Sequence, residues 1–196
     1  MASSTSSEAL RRGEGRQRIV DAATELFITR GYAGTTTRDI AMKAGLRQPS
    51  LYTHFSVKAD ILVAVMMQTV RPSVDLAAEL TADTGLGGVE RLVRLVEFDV
   101  RMLCGGPWNI ALLGYLPEVR TEEVLGNRNL YQDLRAAYRA LVAGALAESG
   151  RTDVERTTDV VMTLVEGVVL RRVQNPDLDP EELAPAIARA ARAIVS

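Results

Sequence analysis

The chain has 196 residues, 47% of them apolar, and a formal charge of −2 at pH 7. That length and apolar share suffice for one large domain or two small ones around a real core, which excludes disorder throughout. Cys104 is the one cysteine and His54 the one histidine, which excludes an internal disulfide and leaves no metal-ligating constellation, so neither a metal nor a cofactor is expected.

Charge is unevenly placed. Residues 1–60 carry nine Lys or Arg against six Asp or Glu, net +3, while residues 61–196 carry fourteen against nineteen, net −5. The basic excess lies where a nucleic-acid partner would be sought. The opening MASSTSSEALRRGEGR is polar and Ser-rich without an apolar core. It is therefore no secretory signal, and residues 1–14 are expected to form a disordered arm of a cytoplasmic protein. No apolar run approaches the ~18 residues that span a bilayer, so no membrane partner is expected.

From Arg16 to Arg30, Ile19, Ala23, Leu26 and Phe27 recur at helical spacing and Gly31 stops the pattern, which predicts a first helix. Thr36 with Asp39 approximates a capping box for a second, from about Thr37 to Ala44. Gly45 ends it, because a tight turn between helices needs a positive φ. Pro49 belongs in the first turn of a third helix, about Gln48 to His54. Ile40, Ala41, Ala44, Leu46, Leu51 and Phe55 point inward. The layout is that of a helix-turn-helix whose second helix enters a DNA groove.

A fourth helix opens near Lys58 and carries Ile61, Leu62, Val65 and Met66, with a kink or break expected near Val70 from Pro72. After the TADTGLGG loop, Val89, Leu92, Val93, Val96, Val100 and Leu103 stripe a fifth, mostly buried helix. A GGPW turn leads to a short uncertain piece. Thr121 starts a long helix to about Glu148, and Thr152 with Glu155 forms a capping box for the next, to about Gln174. Asp179, Pro180, Glu181 and Glu182 start the last. The class is all-α, with about nine helices and no strand.

The stretch RIVDAATELFITRGYAGTTTRDIAMKAGLRQPSLYTHFSVKADIL from Arg18 to Leu62 resembles the N-terminal DNA-binding domain of the tetracycline-repressor (TetR/AcrR) family. Gly31-Tyr32, the Thr run, Ile40-Ala41, Ala44-Gly45, Leu51-Tyr52, His54-Phe55 and Lys58 carry the likeness, over about a quarter of the chain. Thr53 stands where an aromatic is frequent in the family, and Arg47 where a small capping residue is common. The resemblance implies a helix-turn-helix domain over 15–56 and a ligand-binding and dimerisation domain over 57–196. It implies a ligand-responsive repressor, a homodimer on a palindromic double-stranded operator with a small-molecule inducer.

Phosphate contacts position and base contacts specify. Thr37, Tyr52, His54 and Lys58 are phosphate candidates, and Thr36 belongs to the same DNA-binding set. Arg38, Arg47, Gln48, Ser50 and Thr53 are base-edge candidates, with Pro49 in the same DNA-binding set, and Gln48 and Arg38 are foremost because Gln pairs bidentately with adenine and Arg with guanine. The Tyr52 ring is expected to pack partly on the first helix with its hydroxyl free. Met66, Val96, Phe98, Asp99, Met102, Trp108, Leu112, Tyr115, Tyr131, Tyr138, Met162 and Glu166 are expected around an inducer pocket. Val161, Leu164, Val165, Val168, Val169, Arg172, Leu183, Ile187, Ala190 and Ile194 are expected at a four-helix dimer interface. An activator or inducer-free regulator remains an alternative. A helical enzyme lacks a nucleophile–base pair or phosphate loop to carry it, and an interaction module would leave the exposed polar face of the helix-turn-helix unexplained.

Overall fold

The computed structural model describes residues 2–106, 109–116 and 129–196, with 2–11 and 129–130 described as backbone alone. Among them the chain is all-α: α1 Ala2–Arg30, α2 Thr37–Lys43, α3 Gln48–Tyr52, α4 Lys58–Ala82, α5 Gly88–Gly105, a 3-10 helix Ile110–Tyr115, α6 Asn129–Glu148, α7 Val154–Gln174 and α8 Pro180–Val195. The Thr121 start of the long helix and Trp108 lie outside the described residues.

The described residues divide into two compact units. The first holds 2–67 with 113–116, the second 68–106 and 109–112 with 129–196. In the first, the expected disordered arm is corrected, because α1 is helical from Ala2. Ile19, Val20, Ala23, Leu26 and Phe27 of α1 are buried, as are Ile40, Ala41, Leu51 and Phe55, while Leu46 is half-buried. The first unit also takes in the opening turns of α4, beyond the boundary expected at residue 57, since Ala59, Ile61, Leu62 and Val65 are fully buried.

The expected break at Pro72 is not made: α4 runs unbroken from Lys58 to Ala82 with Pro72 inside it. One backbone bond is lost there because proline has no N–H. By length and hydropathy α4 could cross a membrane, contrary to the sequence expectation, yet it is amphipathic, with Arg71 and Asp75 paired on its exposed side at 2.9 Å.

In the second unit α5 is the central helix, packed by α6, α7 and α8. Leu92, Leu95 and Val96 of α5 share a fully buried cluster with Tyr138, Val142, Leu146, Val161, Ala188 and Ala191. This corrects much of the expected dimer interface. Val161, Val165, Val168 and Val169 are buried within the chain. Arg172 donates to the carbonyls of Leu103, at 2.6 Å, and Gly106, so it caps the end of α5 instead. Leu164, Leu183, Ile187 and Ile194 are half-buried and Ala190 is exposed. The exposed arc of α7 is Val160, Thr163, Gly167 and Leu170, flanked by Leu164.

Asp179 caps α8, accepting from the Glu181 N–H at 2.8 Å. The cap of α7, however, is Asp153, and no side chain bonds to that end; the expected Thr152–Glu155 box does not form, because Glu155 is taken by Arg135 and Arg139 of α6.

Gly88, at the start of α5, is where the unit is tightest: a Cβ there would stand 2.4 Å from the Gly144 carbonyl oxygen of α6. Gly88→Ala is expected to destabilise by ~1–3 kcal/mol, as overpacking does. Gly105→Ala, with open space around its Cβ position, is expected to be neutral or slightly stabilising. Denaturant unfolding of the two variants reads the contrast.

Candidate functional site

The exposed face of α2 and α3 is organised by three consecutive threonines. Thr35 is fully buried and its hydroxyl donates to the Leu26 and Gly31 carbonyls at 3.2 and 2.9 Å, closing the end of α1. Thr36 caps α2: its hydroxyl oxygen accepts from the Asp39 N–H at 3.2 Å, and Asp39 Oδ2 accepts from the Thr36 N–H at 3.0 Å. The Thr36 hydroxyl, which also donates to Asp39 Oδ2, and then the Thr36 N–H hold the Asp39 carboxyl below the usual carboxylate range. Thr37 turns to α3, where its hydroxyl lies 3.1 Å from the Tyr52 hydroxyl and accepts from Gln48 Nε2 at 3.3 Å.

Gly45 takes a φ of +69°, as the turn requires. Arg47 precedes α3 with extended backbone and makes no side-chain cap, so its guanidinium stays at the surface with that of Arg38. Pro49 sits in the first turn, Ser50 is half-buried, and Thr53 Oγ1 donates to the Ser50 carbonyl at 2.7 Å. Thr37, Gln48 and Tyr52 thus form one bonded group, with Arg38 and Arg47 exposed beside it.

Three expectations change. Tyr52 is 48% exposed, and its hydroxyl, not its ring, is the engaged part. His54 packs over α1, its Nε2 only 3.0 Å from where a Gly15 Cβ would stand. Desolvation, with Arg12, Arg16 and Arg18 nearby, holds its pKa below the usual histidine range and so keeps it neutral at pH 7. Lys58 donates to the Tyr32 and Thr35 carbonyls at 2.9 and 3.0 Å, and its Nζ lies 4.1 Å over the Tyr32 ring. Its ammonium is a strut between α4 and the loop before α2. Arg12, which sequence reasoning missed, donates to the Thr53 carbonyl at 3.4 Å, and Arg16 stacks 4.8 Å over the Phe55 ring.

In the second unit a cavity of about 190 Å³ is lined by Gln68, Thr69, Met102, Leu103, Gly106, Ile110 and Ala111. Among the described residues expected around a pocket, only Met102 lines it. Met66 and Tyr115 belong to the other unit. Val96, Tyr138 and Met162 are core, Phe98 and Leu112 half-buried, and Tyr131 is 55% exposed, donating to Glu166 at 2.9 Å. Aromatic content misled here because rings fill cores as readily as they line cavities. The signal available was the polar pair Gln68-Thr69 inside an apolar helix.

Asp99 is buried, as expected of the polar residue in the α5 stripe, and the hydroxyl of fully buried Tyr138 donates to its Oδ2. The hydroxyl of buried Ser73 stands beside it, and Oδ1 has no hydrogen-bond partner. Burial pushes its pKa up to about 6.

Lys58→Met is expected to lower stability by ~1–3 kcal/mol in denaturant unfolding, since it strips two part-buried carbonyls of their charged donor. Asp99 binds protons more tightly folded than unfolded, so its contribution favours the fold at acid pH and is lost as pH rises from about 4 through about 6. Asp99→Asn is therefore expected to gain stability relative to the parent chain as pH rises across that window, read by thermal melts from pH 4.5 to 8.

Residues 19–65 match the profile described as "Bacterial regulatory proteins, tetR family", and residues 126–196 match "Tetracyclin repressor-like, C-terminal domain". The HTH-type transcriptional regulator SrpR of Pseudomonas putida is 40% identical over 86 residues, 44% of this chain, and the match spans only 38% of SrpR. The structure of FadR from Bacillus subtilis in complex with stearoyl-CoA shares the fold, with TM-score 0.73 at 18% identity over 91% of this chain and 96% of that one. AmtR of Mycobacterium smegmatis is 39% identical, with TM-score 0.78, over 92% of this chain and 85% of its own. With both ends of the chain matched by tetR profiles, and a 39% identical relative covered for most of its length, the chain belongs to the tetR family of bacterial regulatory proteins.

Proposed function

We propose that the chain is a ligand-responsive transcriptional repressor that binds a palindromic operator as a homodimer. The observation that carries the DNA-binding part is the bonded group Thr37–Gln48–Tyr52 with exposed Arg38 and Arg47, on two helices whose ends are capped or fixed by proline. Such a surface offers a preorganised amide and two guanidiniums to base edges. Arg12, Arg16 and Arg18 around the neutral His54 add a basic margin for phosphates. Gln48 must exchange its bond to Thr37 for one to a base, a small cost because both partners stay polar and solvated.

One helix-turn-helix reads half an operator, so a second copy is required. The surface available for it is the arc of Val160, Leu164, Gly167 and Leu170 on α7 with Ala190 on α8, in place of the valines that the core consumes. The cavity of the second unit supplies a place for an effector. α4 starts in the first unit and ends in the second, which makes it the element through which ligand binding would bias the DNA reader.

Gel shifts with DNA from upstream of the coding region test the reading. Arg38→Ala and Gln48→Ala are each expected to weaken operator binding by ~1–3 kcal/mol and to relax sequence preference. Leu170→Glu is expected to give a monomer in sedimentation and to lose the shift. No shift of wild-type protein at low salt would sink the DNA-binding claim.

A further inference from the structure

The cavity of the second unit has a wall that keeps its shape when empty. Two parts of that wall are tied to α7. Arg172 donates to the carbonyls of Leu103, at 2.6 Å, and Gly106, which line it at the end of α5. Asn109, next to the lining residues Ile110 and Ala111, donates through Nδ2 to the Val169 carbonyl at 2.9 Å. The end of α5 and the start of the 3-10 helix are thereby anchored on one helix, which keeps the gap between them from collapsing. A gap held in this way receives a guest with little ordering left to do.

The lining also selects. No Asp, Glu, Lys or Arg stands among the described lining residues, and the Arg172 guanidinium is committed to the Leu103 and Gly106 carbonyls. A charged guest would lose its hydration and meet no counter-charge in the described wall. Polarity is confined to Gln68 and Thr69 of α4. Gln68 makes no side-chain hydrogen bond to another described residue, and an amide both donates and accepts. At about 190 Å³ the cavity has the scale of one that takes a benzene-sized molecule, ~150 Å³ in an engineered case.

We propose that this cavity binds an uncharged molecule of single-ring size, with its one hydroxyl or carbonyl met by the Gln68 side-chain amide. The apolar wall takes the ring, and the lack of a lining charge rejects anions and cations alike. The inference deepens the effector role proposed above and rests on it, but the site can be tested without DNA.

The test is an NMR titration at pH 7.5 of the full chain carrying ¹³C at its methionine methyls, with the Met102 signal assigned by Met102→Leu. Benzyl alcohol is expected to shift the Met102 signal saturably, and benzylamine and benzoate each to bind at least about tenfold more weakly. 2-Naphthalenemethanol is expected to bind more weakly than benzyl alcohol despite its larger apolar surface, because it exceeds the cavity. Gln68→Glu, of the same shape but charged, is expected to reverse the preference toward benzylamine. Ala111→Phe, which fills the cavity, is expected to abolish binding and keeps the test decisive should Gln68→Glu not fold. Charged rings binding as well as the alcohol, an unchanged preference in Gln68→Glu, full binding by Ala111→Phe, or no Met102 shift with any probe overturns the proposal, as does tighter binding of the naphthalene alcohol. A gel shift run in parallel separates the two readings: a saturable Met102 shift without operator release upholds the site and overturns the ligand-responsive function, and operator release without that shift does the reverse.

Discussion

Helices of seven and five residues do not stand by themselves in water, because nucleation costs more than so few bonds return. α2 and α3 are of that length, and the surface assigned to DNA is built on them. Their existence depends on groups outside them. Thr35 anchors the loop to α1, Thr36 supplies the cap, and Lys58 holds the Tyr32 and Thr35 carbonyls from the first turn of α4. Leu51 and Phe55 are buried at either end of the last turn of the reader. The outward side chains can therefore be polar and exchange partners, since none of them is required to keep the helices formed.

The second unit follows the opposite logic. Its helices are long enough to be stable by packing, and α5 can afford an acid in the middle of its buried stripe. The Tyr138 hydroxyl reduces the desolvation of Asp99 without removing it, and the carboxyl remains well above its ordinary pKa.

The first unit was legible almost residue by residue. Gly31, Thr36–Asp39, Gly45 and Pro49 each restrict the backbone in a way that one residue type announces. Lys58 was not, since a lysine at a helix start looks the same whether it faces phosphate or carbonyls. The valines of α7 show a different limit. An apolar stripe says that a face is covered but not by which chain, and here α5, α6 and α8 cover Val161, Val165 and Val168 while Val160 and Leu170 are left outside. The cavity was hidden for a related reason: its wall is made of ordinary side chains, and only their failure to meet distinguishes it from core.

Pro72 has one more implication. It has no N–H to give the carbonyl four residues earlier, that of Gln68, so α4 lacks one rung of its ladder at a residue of the cavity wall and at the point where the two units divide. The elastic properties of α4 are accordingly uneven: stiff in the turns on either side, compliant in one. A rod with a single soft turn concentrates bending strain there instead of spreading it along its length, and in this protein that turn is the one a guest in the cavity would touch.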